Sequence, residues 1–196
     1  FSYDNWGGYN LLVKLNQRNS EVQDYIREVI RFWVQEFDVD GLRLDAVKHI
    51  SFPFYGKLLS YIRESTGLSI PAVGEYWSGE LERLTHYLDM VDSRMALFDV
   101  ALHYNFFNAS QGRCALKHIF EGSLVQARPY YAVTFVDNHD TQKGQSLQSS
   151  VEDWFKPLAY ALILLRKEGV PCVFYSDYYG NPPQGGSMVP NLGKLI

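Results

Sequence analysis

Short apolar runs alternate along the chain with longer segments in which apolar residues recur every three or four positions. The clearest periodic segment covers residues 20–37, and Asn19 or Ser20 supplies a helix cap in front of it. Its apolar positions are Val22, Tyr25, Ile26, Val29, Ile30, Trp33 and Phe37. This spacing predicts an amphipathic helix.

The rest of the chain continues the alternation. Further helices are predicted from Pro53 to Gly67, over residues 80–90, over 101–120 with a break at Gly112, and over 156–167 with Pro157 in the first turn. Apolar runs predict strands over residues 42–47, 70–76, 95–100, 131–136 and 170–175.

Five predicted strands separated by helices indicate parallel strands joined by right-handed crossovers, in an open sheet or in a barrel. A dinucleotide-binding open sheet would carry a Gly-x-Gly-x-x-Gly turn, which the sequence lacks, whereas acidic residues follow three of the strands. We therefore predict an α/β fold that is part of a (β/α)8 TIM barrel. Because a complete barrel typically needs about 250 residues, a front portion is expected to be missing or supplied elsewhere.

Composition and charge narrow the classes of partner. The chain has 46% hydrophobic and 20% charged residues, which is typical of a globular protein. A net charge of −4 without a run of Lys and Arg predicts no nucleic-acid partner and no anionic membrane. No segment approaches the roughly 18 apolar residues of a membrane span, and the first residues lack a signal-peptide layout. We expect a soluble protein with a small neutral partner.

The two cysteines, Cys114 and Cys172, are expected to be free and buried, because a chain of this size with two cysteines has no disulfide framework. Neither a Cys-x-x-Cys nor a His-Glu-x-x-His spacing occurs, so the sequence does not support a transition-metal site.

Three acids, Asp45, Glu75 and Asp140, stand at or just beyond the ends of predicted strands. Strand ends on one rim of a barrel can converge on one pocket, and carboxylates gathered there cannot all keep ordinary pKa values. Retaining hydrolysis of a glycosidic bond needs an ionised carboxylate about 5 to 5.5 Å from a protonated one. The trio therefore predicts sugar chemistry.

The residues next to these acids in the sequence suggest a different catalytic role for each acid. Arg43 precedes Asp45 by two residues, points to the same face of the strand and could keep the carboxylate ionised, which suits a nucleophile. Glu75 stands beside the aromatic residues Tyr76 and Trp77, where desolvation would favour its protonated form, which suits a general acid and base. Asp140 could accept hydrogen bonds from sugar hydroxyls that strengthen in the transition state.

Each acid also has a plain structural interpretation. Arg43 and Asp45 could be an ion pair at the end of a strand, and Glu75 could be a solvent-exposed acid in a loop. Residues 137–141 could form a turn, a structure that Asn and Asp favour. Four aromatic residues could stack on sugar faces and so bind substrate: Tyr76, Trp77, Tyr178 and Tyr179. The alternative for each is packing within the protein.

Residues 40–49, 73–77 and 135–141 closely resemble three signature regions of the α-amylase family of glycoside hydrolases. Residues 154–161 and 173–175 resemble the seventh crossover helix and eighth strand of its bacterial liquefying and intracellular members. The resemblance covers nearly the whole chain. It implies a fragment of the barrel that contains approximately strands four to eight.

The resemblance also implies roles for residues. Asp45 matches the family's nucleophile, Glu75 its general acid and base, and Asp140 its transition-state stabiliser. Further matches are Arg43, which orients the nucleophile, His139, which contacts the sugar, and the pair Lys48 and His49, which lines the leaving-group side. That pair resembles endo-acting α-1,4 enzymes.

The expected function is therefore endo-hydrolysis of α-1,4-glucosidic bonds in starch or maltooligosaccharides. The alternatives are an α-glucosidase or transglycosylase on short maltooligosaccharides, and a noncatalytic protein, either an oligosaccharide-binding fragment or a transporter-associated relative. The resemblance divides the chain into residues 1–18, the tail of an inserted loop domain, and residues 19–196, the C-terminal part of the barrel. The N-terminal half of the barrel is the missing partner, so the chain alone is expected to be weakly active or inactive.

Calcium and compartment are further expectations from the resemblance. The carbonyl of His49 matches a calcium ligand, and Asn10 is a second candidate, but residues 12–19 carry Lys and Asn where relatives carry acids. Because a hard cation wants several oxygen ligands with compensating charge, we expect a weak or absent calcium site. The likeness to intracellular enzymes favours the cytoplasm, with secretion as the alternative.

Overall fold

The computed structural model of the chain describes residues 15–180 and 188–196. Within these residues the chain forms a parallel five-stranded sheet with helices between the strands, which is an α/β fold as predicted. The strands are β1 (Leu42–Leu44), β2 (Ala72–Gly74), β3 (Ala96–Phe98), β4 (Ala132–Phe135) and β5 (Val170–Cys172). The helices are α1 (Ser20–Glu36), α2 (Phe52–Thr66), α3 (Leu81–Met90), α4 (Val100–Ser110), α5 (Leu124–Ala127), α6 (Lys156–Leu164) and α7 (Tyr175–Tyr179).

The predicted strands are present but shorter than the apolar runs that predicted them. β1 ends at Leu44 because Ala46 adopts a left-handed conformation, with φ of 46°, and turns the chain into a 3-10 helix at Val47–His49. The predicted helix over residues 101–120 is wrong in its second half, since α4 ends at Ser110 and Gly112 has a φ of 72°. The last predicted strand is also too long, because the chain begins α7 at Tyr175.

The chain is organised as two compact units. Among the described residues, the first consists of residues 15–77 together with His86–Ala96, and the second of Ser78–Thr85 together with residues 97–180 and 188–196.

The first unit is built from α1, β1, α2 and β2. Asn19 caps α1 by accepting a hydrogen bond from the Glu21 N–H at 2.9 Å, and Gly67 ends α2 with a φ of 70°. Strands β1 and β2 are parallel neighbours, with Leu42 opposite Ala72 and Leu44 opposite Gly74. The buried side chains of this unit include Val34, Leu44, Val47, Leu58, Leu59, Ile62, Tyr87 and Leu88.

Helix α1 leaves much of its apolar surface uncovered. Tyr25, Phe32, Trp33 and Phe37 are 73%, 51%, 50% and 66% exposed, and Val34 is the buried residue of this helix. A monomeric protein seldom leaves such a cluster of large apolar side chains in water.

The second unit carries β3, β4 and β5, which are parallel, with Leu97 opposite Ala132 and Val133 opposite Val170. Buried Asp99 organises the start of two helices, because its carboxylate accepts hydrogen bonds from the N–H groups of Leu102, Leu124 and Val125 at 2.8 to 3.0 Å. Side chains in the core of this unit include Leu97, Leu102, Phe106, Phe135, Phe155, Tyr160 and Ile163.

Both cysteines are free, as predicted, but the prediction that they are buried is wrong. Cys172 is exposed and Cys114 is partly exposed. The apolar run around Cys172 belongs to β5, whose residues are exposed in this chain. Among the residues that the structure describes, no helix is both long and apolar enough to cross a membrane.

Candidate active site

The register of β1 and β2 brings Asp45 and Glu75 together in the first unit. Leu44 is opposite Gly74, so each acid is the first residue beyond the end of its strand. The pairing continues past the strands, because the Glu75 N–H donates to the Leu44 carbonyl at 2.8 Å and the Val47 N–H donates to the Glu75 carbonyl at 3.0 Å. Since the strands are parallel, both carboxyl groups leave the sheet at the same edge.

One guanidinium group contacts both acids. Nη1 of Arg43 lies 2.7 Å from Oδ1 of Asp45, and Nη2 lies 3.2 Å from Oε2 of Glu75. The predicted contact between Arg43 and Asp45 is therefore confirmed, and the bridge extends it to Glu75. The environments of the two acids differ sharply, since the Asp45 side chain is 70% exposed and the Glu75 side chain 8% exposed.

The burial of Glu75 changes its protonation behaviour. Burial raises the pKa of Glu75 above its ordinary value, and a hydrogen bond with the Asp45 carboxyl raises it further. A hydrogen bond from the Ala46 N–H and the charge of Arg43 act in the opposite direction but are outweighed. The prediction that desolvation favours protonated Glu75 is confirmed, and the alternative of a solvated loop acid is wrong for this residue.

The buried Glu75 carboxyl is incompletely satisfied. Oε2 accepts a hydrogen bond from the Ala46 N–H at 3.3 Å, whereas no residue that the structure describes hydrogen-bonds to Oε1. An unsatisfied buried polar group costs about 1 to 3 kcal/mol. Such a cost is typical of groups that are kept for function.

Three residues that were predicted to bind substrate, Lys48, His49 and Tyr76, lie near this pair of acids in sequence and contact other parts of the first unit. Nζ of Lys48 donates to the Trp77 carbonyl at 3.1 Å, which links the segment after β1 to the segment after β2. The Tyr76 ring packs on buried Tyr87 with centroids 5.0 Å apart, in agreement with the packing interpretation of this aromatic. His49 lies at the end of the 3-10 helix and is half-buried. The substrate contacts expected of these residues stay predictions.

His139 and Asp140 lie in the second unit, in the loop that follows β4. Oδ1 of Asn138 accepts hydrogen bonds from the N–H groups of Asp140 and Thr141 at 2.9 and 3.0 Å, so turn chemistry does shape this loop. The carboxyl group of Asp140 takes no part in that turn; its Oδ2 lies 3.5 Å from Nε2 of His139. The convergence of Asp140 with Asp45 and Glu75 stays a prediction.

The sequence reasoning missed a buried polar cluster in the second unit. Nζ of Lys156 lies 3.0 Å from Oδ2 of Asp137 and 2.6 Å from Oδ1 of Asp177. The hydroxyl of Tyr160 donates to Oδ2 of Asp177 at 2.7 Å. A charged lysine at the start of the apolar helix α6 was the available signal, because such a residue needs a buried partner.

Buried His103 makes polar contacts with residues near the loop that follows β4. Its Nδ1 lies 2.6 Å from the Val136 carbonyl and its Nε2 lies 2.8 Å from Oγ of Ser149. Burial lowers the pKa of His103 to about 4, so the ring is neutral near neutral pH and donates from Nδ1 to the carbonyl.

The expectation of a weak or absent calcium site stays a prediction. Among residues 15–180 and 188–196, no group of three or more His, Cys, Asp and Glu side chains could hold a metal ion. The His49 carbonyl would supply a single oxygen, whereas calcium takes six to eight. Asn10 and the start of the 12–19 segment lie outside the described residues.

Comparison with known proteins identifies the family. A family model described as the alpha amylase catalytic domain matches residues 6–184. The chain is 46% identical over 194 residues to an α-amylase from Geobacillus stearothermophilus, covering 97% of this chain and 35% of that protein. It is 45% identical over 181 residues to the cytoplasmic α-amylase of Escherichia coli, covering 90% of this chain and 37% of that protein.

Comparison with solved structures also finds α-amylases. The crystal structure of an Anoxybacillus α-amylase matches with a TM-score of 0.66 and 25% identity, over 94% of this chain and 41% of that one. The parallel α/β sheet and its match to this α-amylase place the chain in the class of TIM-barrel proteins, of which it covers a part. The chain belongs to the α-amylase family of glycoside hydrolases. It spans about a third of the length of the curated relatives it matches.

Proposed function

We propose that the protein containing this chain hydrolyses α-1,4-glucosidic bonds in starch and maltooligosaccharides, with retention and with endo action. The observation that carries the proposal is the pair of acids at the ends of β1 and β2. A buried carboxyl with a raised pKa lies beside an exposed one, and Arg43 contacts both. The names of the relatives supply the substrate class.

Retention is proposed from the family likeness and from the contact that the two acids share. Inverting enzymes hold their two carboxyl groups about 6.5 to 9.5 Å apart to leave room for water, whereas retaining enzymes hold them about 5 to 5.5 Å apart. Asp45 and Glu75 contact the same guanidinium, at 2.7 and 3.2 Å. This shared contact favours the closer, retaining arrangement.

In the first step, the Asp45 carboxylate attacks the anomeric carbon and the bond from that carbon to the glycosidic oxygen breaks. Glu75 gives its proton to the departing oxygen, which leaves as a sugar hydroxyl. The raised pKa of Glu75 favours its protonated form, which is the form that gives the proton. Arg43 contacts Oδ1 of Asp45 at 2.7 Å and orients this carboxyl group for the attack.

In the second step, water attacks the anomeric carbon and the ester bond to Asp45 breaks. Glu75, now ionised, accepts the proton of the water, so it ends the cycle protonated. Asp140 is proposed to bind sugar hydroxyls and to stabilise the positive charge of the oxocarbenium-like transition states. His139, Lys48 and His49 are proposed to contact the sugar on either side of the scissile bond.

The proposed function is tested in the whole protein by Glu75→Gln, with Glu82→Gln, an exposed acid on α3, as the matched control. Loss of the general acid and base should lower kcat on starch by about 10² to 10⁴-fold, with little change in substrate affinity. The control should keep full turnover. Unchanged turnover in Glu75→Gln would contradict the proposed role and favour a binding protein.

The alternatives make different products from maltoheptaose. An endo-acting amylase should release several mid-length products at once, an α-glucosidase should release glucose first, and a transglycosylase should make chains longer than the substrate. For the isolated chain we propose weak or no hydrolysis, since it spans 35% of the G. stearothermophilus relative. Robust starch hydrolysis by the 196 residues alone would contradict this.

For calcium we propose weak or no binding by this chain, because residues 12–19 carry Lys and Asn where acids are expected in relatives. Calorimetric titration with calcium should give little heat, and tight binding would overturn the proposal. For compartment we propose the cytoplasm, which the name of the E. coli relative supports. Cell fractionation that finds the protein in the medium would favour secretion.

A further inference from the structure

The loop after β4, residues 137–151, is held at both ends by one buried carboxylate. Oδ1 of Asp137 accepts hydrogen bonds from the Thr141 hydroxyl at 3.0 Å and from the Val151 N–H at 3.3 Å. Oδ2 lies 3.2 Å from the Val151 nitrogen and 3.4 Å from Oγ of Ser150. A single side chain therefore joins the beginning, the first turn and the end of this loop.

Asp137 depends in turn on Lys156. The ammonium group is 3.0 Å from Asp137 and 2.6 Å from Asp177, and these side chains are 10%, 1% and 4% exposed. Tyr160 contributes a hydroxyl to Asp177 and accepts the Phe174 N–H at 3.3 Å. Lys156 thus supplies the positive charge in contact with two buried carboxylates, and neither can stay ionised at low cost without it.

The charges in this cluster are strongly coupled. Burial raises the pKa of Asp137 and of Asp177, and the charge of Lys156 opposes that rise in both. Burial alone would lower the pKa of Lys156, but the two carboxylates outweigh it and the net direction is upward. All three groups are therefore coupled as one buried ion cluster.

Hydrogen bonds between the two arms of the loop connect its fixed ends to Asp140. The Leu147 N–H donates to the Asp140 carbonyl at 3.1 Å, and the Ser149 N–H donates to the Thr141 carbonyl at 3.0 Å. These bonds tie the outgoing arm of the loop to the incoming arm at the position of Asp140. A shift at either end would consequently move Asp140 itself.

We propose that Lys156 is a positioning residue that fixes the 137–151 loop, and with it His139 and Asp140, from a buried site behind the loop. The proposal rests on the proposed function for its effect on catalysis, but the fixing of the loop stands on the contacts alone. Lys156 acts through Asp137 and touches no substrate. Its task is to hold the stabilising carboxylate where charge develops in the transition state.

The test compares three variants of the whole protein with a matched control. Lys156→Met removes the charge and keeps the stem, Lys156→Arg keeps the charge, and Tyr160→Phe removes one hydroxyl from Asp177. Lys167→Met, an exposed lysine beyond α6, is the control. The readouts are kcat and KM on a maltooligosaccharide, and hydrogen exchange at the N–H groups of Leu147, Ser149 and Val151.

Lys156→Met is expected to lower kcat by about 100-fold with KM nearly unchanged, as misplacement of a catalytic group does. The kcat of Lys156→Arg should be at least about tenfold higher than that of Lys156→Met, because arginine keeps the positive charge although its shape differs. Exchange at the three loop N–H groups should speed up by about tenfold in Lys156→Met while α4 stays protected. The control should match the wild-type protein in every readout.

Wild-type kcat in Lys156→Met, or faster exchange that spreads equally to α4, would overturn the proposal. If Lys156→Met does not fold, Tyr160→Phe decides: a selective rise in loop exchange supports the positioning role, and no rise overturns it. A wild-type protein that does not hydrolyse starch would refute the proposed function, whereas the exchange arm would still decide whether Lys156 fixes the loop.

Discussion

Replacing Arg43 by Met should make Glu75 harder to ionise. The substitution removes the guanidinium that lies 3.2 Å from Oε2 of Glu75 and 2.7 Å from Oδ1 of Asp45, while it keeps an unbranched side chain. The positive charge of Arg43 favours ionised Glu75, so its loss raises the pKa of Glu75 beyond the rise that burial already causes. The remaining charge of Asp45 acts in the same direction.

The size of the effect follows from Coulomb's law. At the observed separation of 3.2 Å, two unit charges attract by about 1.3 kcal/mol at the dielectric constant of water. The water value is the appropriate one because the Arg43 side chain is 41% exposed and solvent screens it. This energy corresponds to about a tenfold increase in the ratio of protonated to ionised Glu75 at a given pH.

The assay is an NMR titration of the chain labelled with ¹³C at the glutamate carboxyl groups, in which Glu75→Gln identifies the signal. Arg83→Met, at an exposed arginine paired with Glu80, is the control and should leave the Glu75 titration unchanged. In the whole protein, the alkaline limb of kcat/KM should move to higher pH in Arg43→Met. A Glu75 that titrates like an ordinary glutamate, or that ionises more easily in Arg43→Met, would refute the reasoning.

Two further predictions concern stability. Glu75→Gln should match the wild-type chain in stability at acidic pH and become more stable than it as pH rises, because the raised pKa of Glu75 means that ionisation costs folding energy. Urea unfolding at several pH values checks this, and a variant less stable than the wild-type chain at neutral pH contradicts it. In the folded chain, burial lowers the pKa of His103 from 6.5 to about 4, so its ring stays neutral down to about pH 4. In the unfolded chain the same ring binds a proton as pH falls below 6.5. The free energy of unfolding should therefore fall by about 3 kcal/mol between these two pH values. NMR titration of the His103 ring should find it neutral down to about pH 4, and a ring that titrates near its ordinary value would disprove the second prediction.

The sequence predicted what depends on local pattern. Period-two alternation placed Arg43 and Asp45 on one face, and the structure has them 2.7 Å apart. The cap at Asn19 and the stop at Gly67 depend on single residues with strong conformational preferences, and both are where they were expected. Burial of Glu75 was also predictable, because apolar and aromatic residues surround it in sequence.

Contacts between distant residues were beyond this reasoning. Lys156 and Asp177 are 21 residues apart, and nothing in the spacing links either of them to Asp137. The lengths of the strands were overestimated because apolar runs continue into turns, as at Val47, which is buried although β1 has ended. Burial of an apolar residue does not specify its backbone conformation.

The central claim is that Asp45 forms a covalent bond to the sugar while Glu75 moves the proton. A fluorinated maltosyl fluoride, which forms a glycosyl-enzyme faster than water removes it, should label the whole protein, and peptide mass spectrometry should find the sugar on Asp45. Arg43→Met should label more slowly, because it lacks the charge that stabilises the nucleophile. Labelling on another residue, or catalytic turnover without any covalent intermediate, would contradict the account.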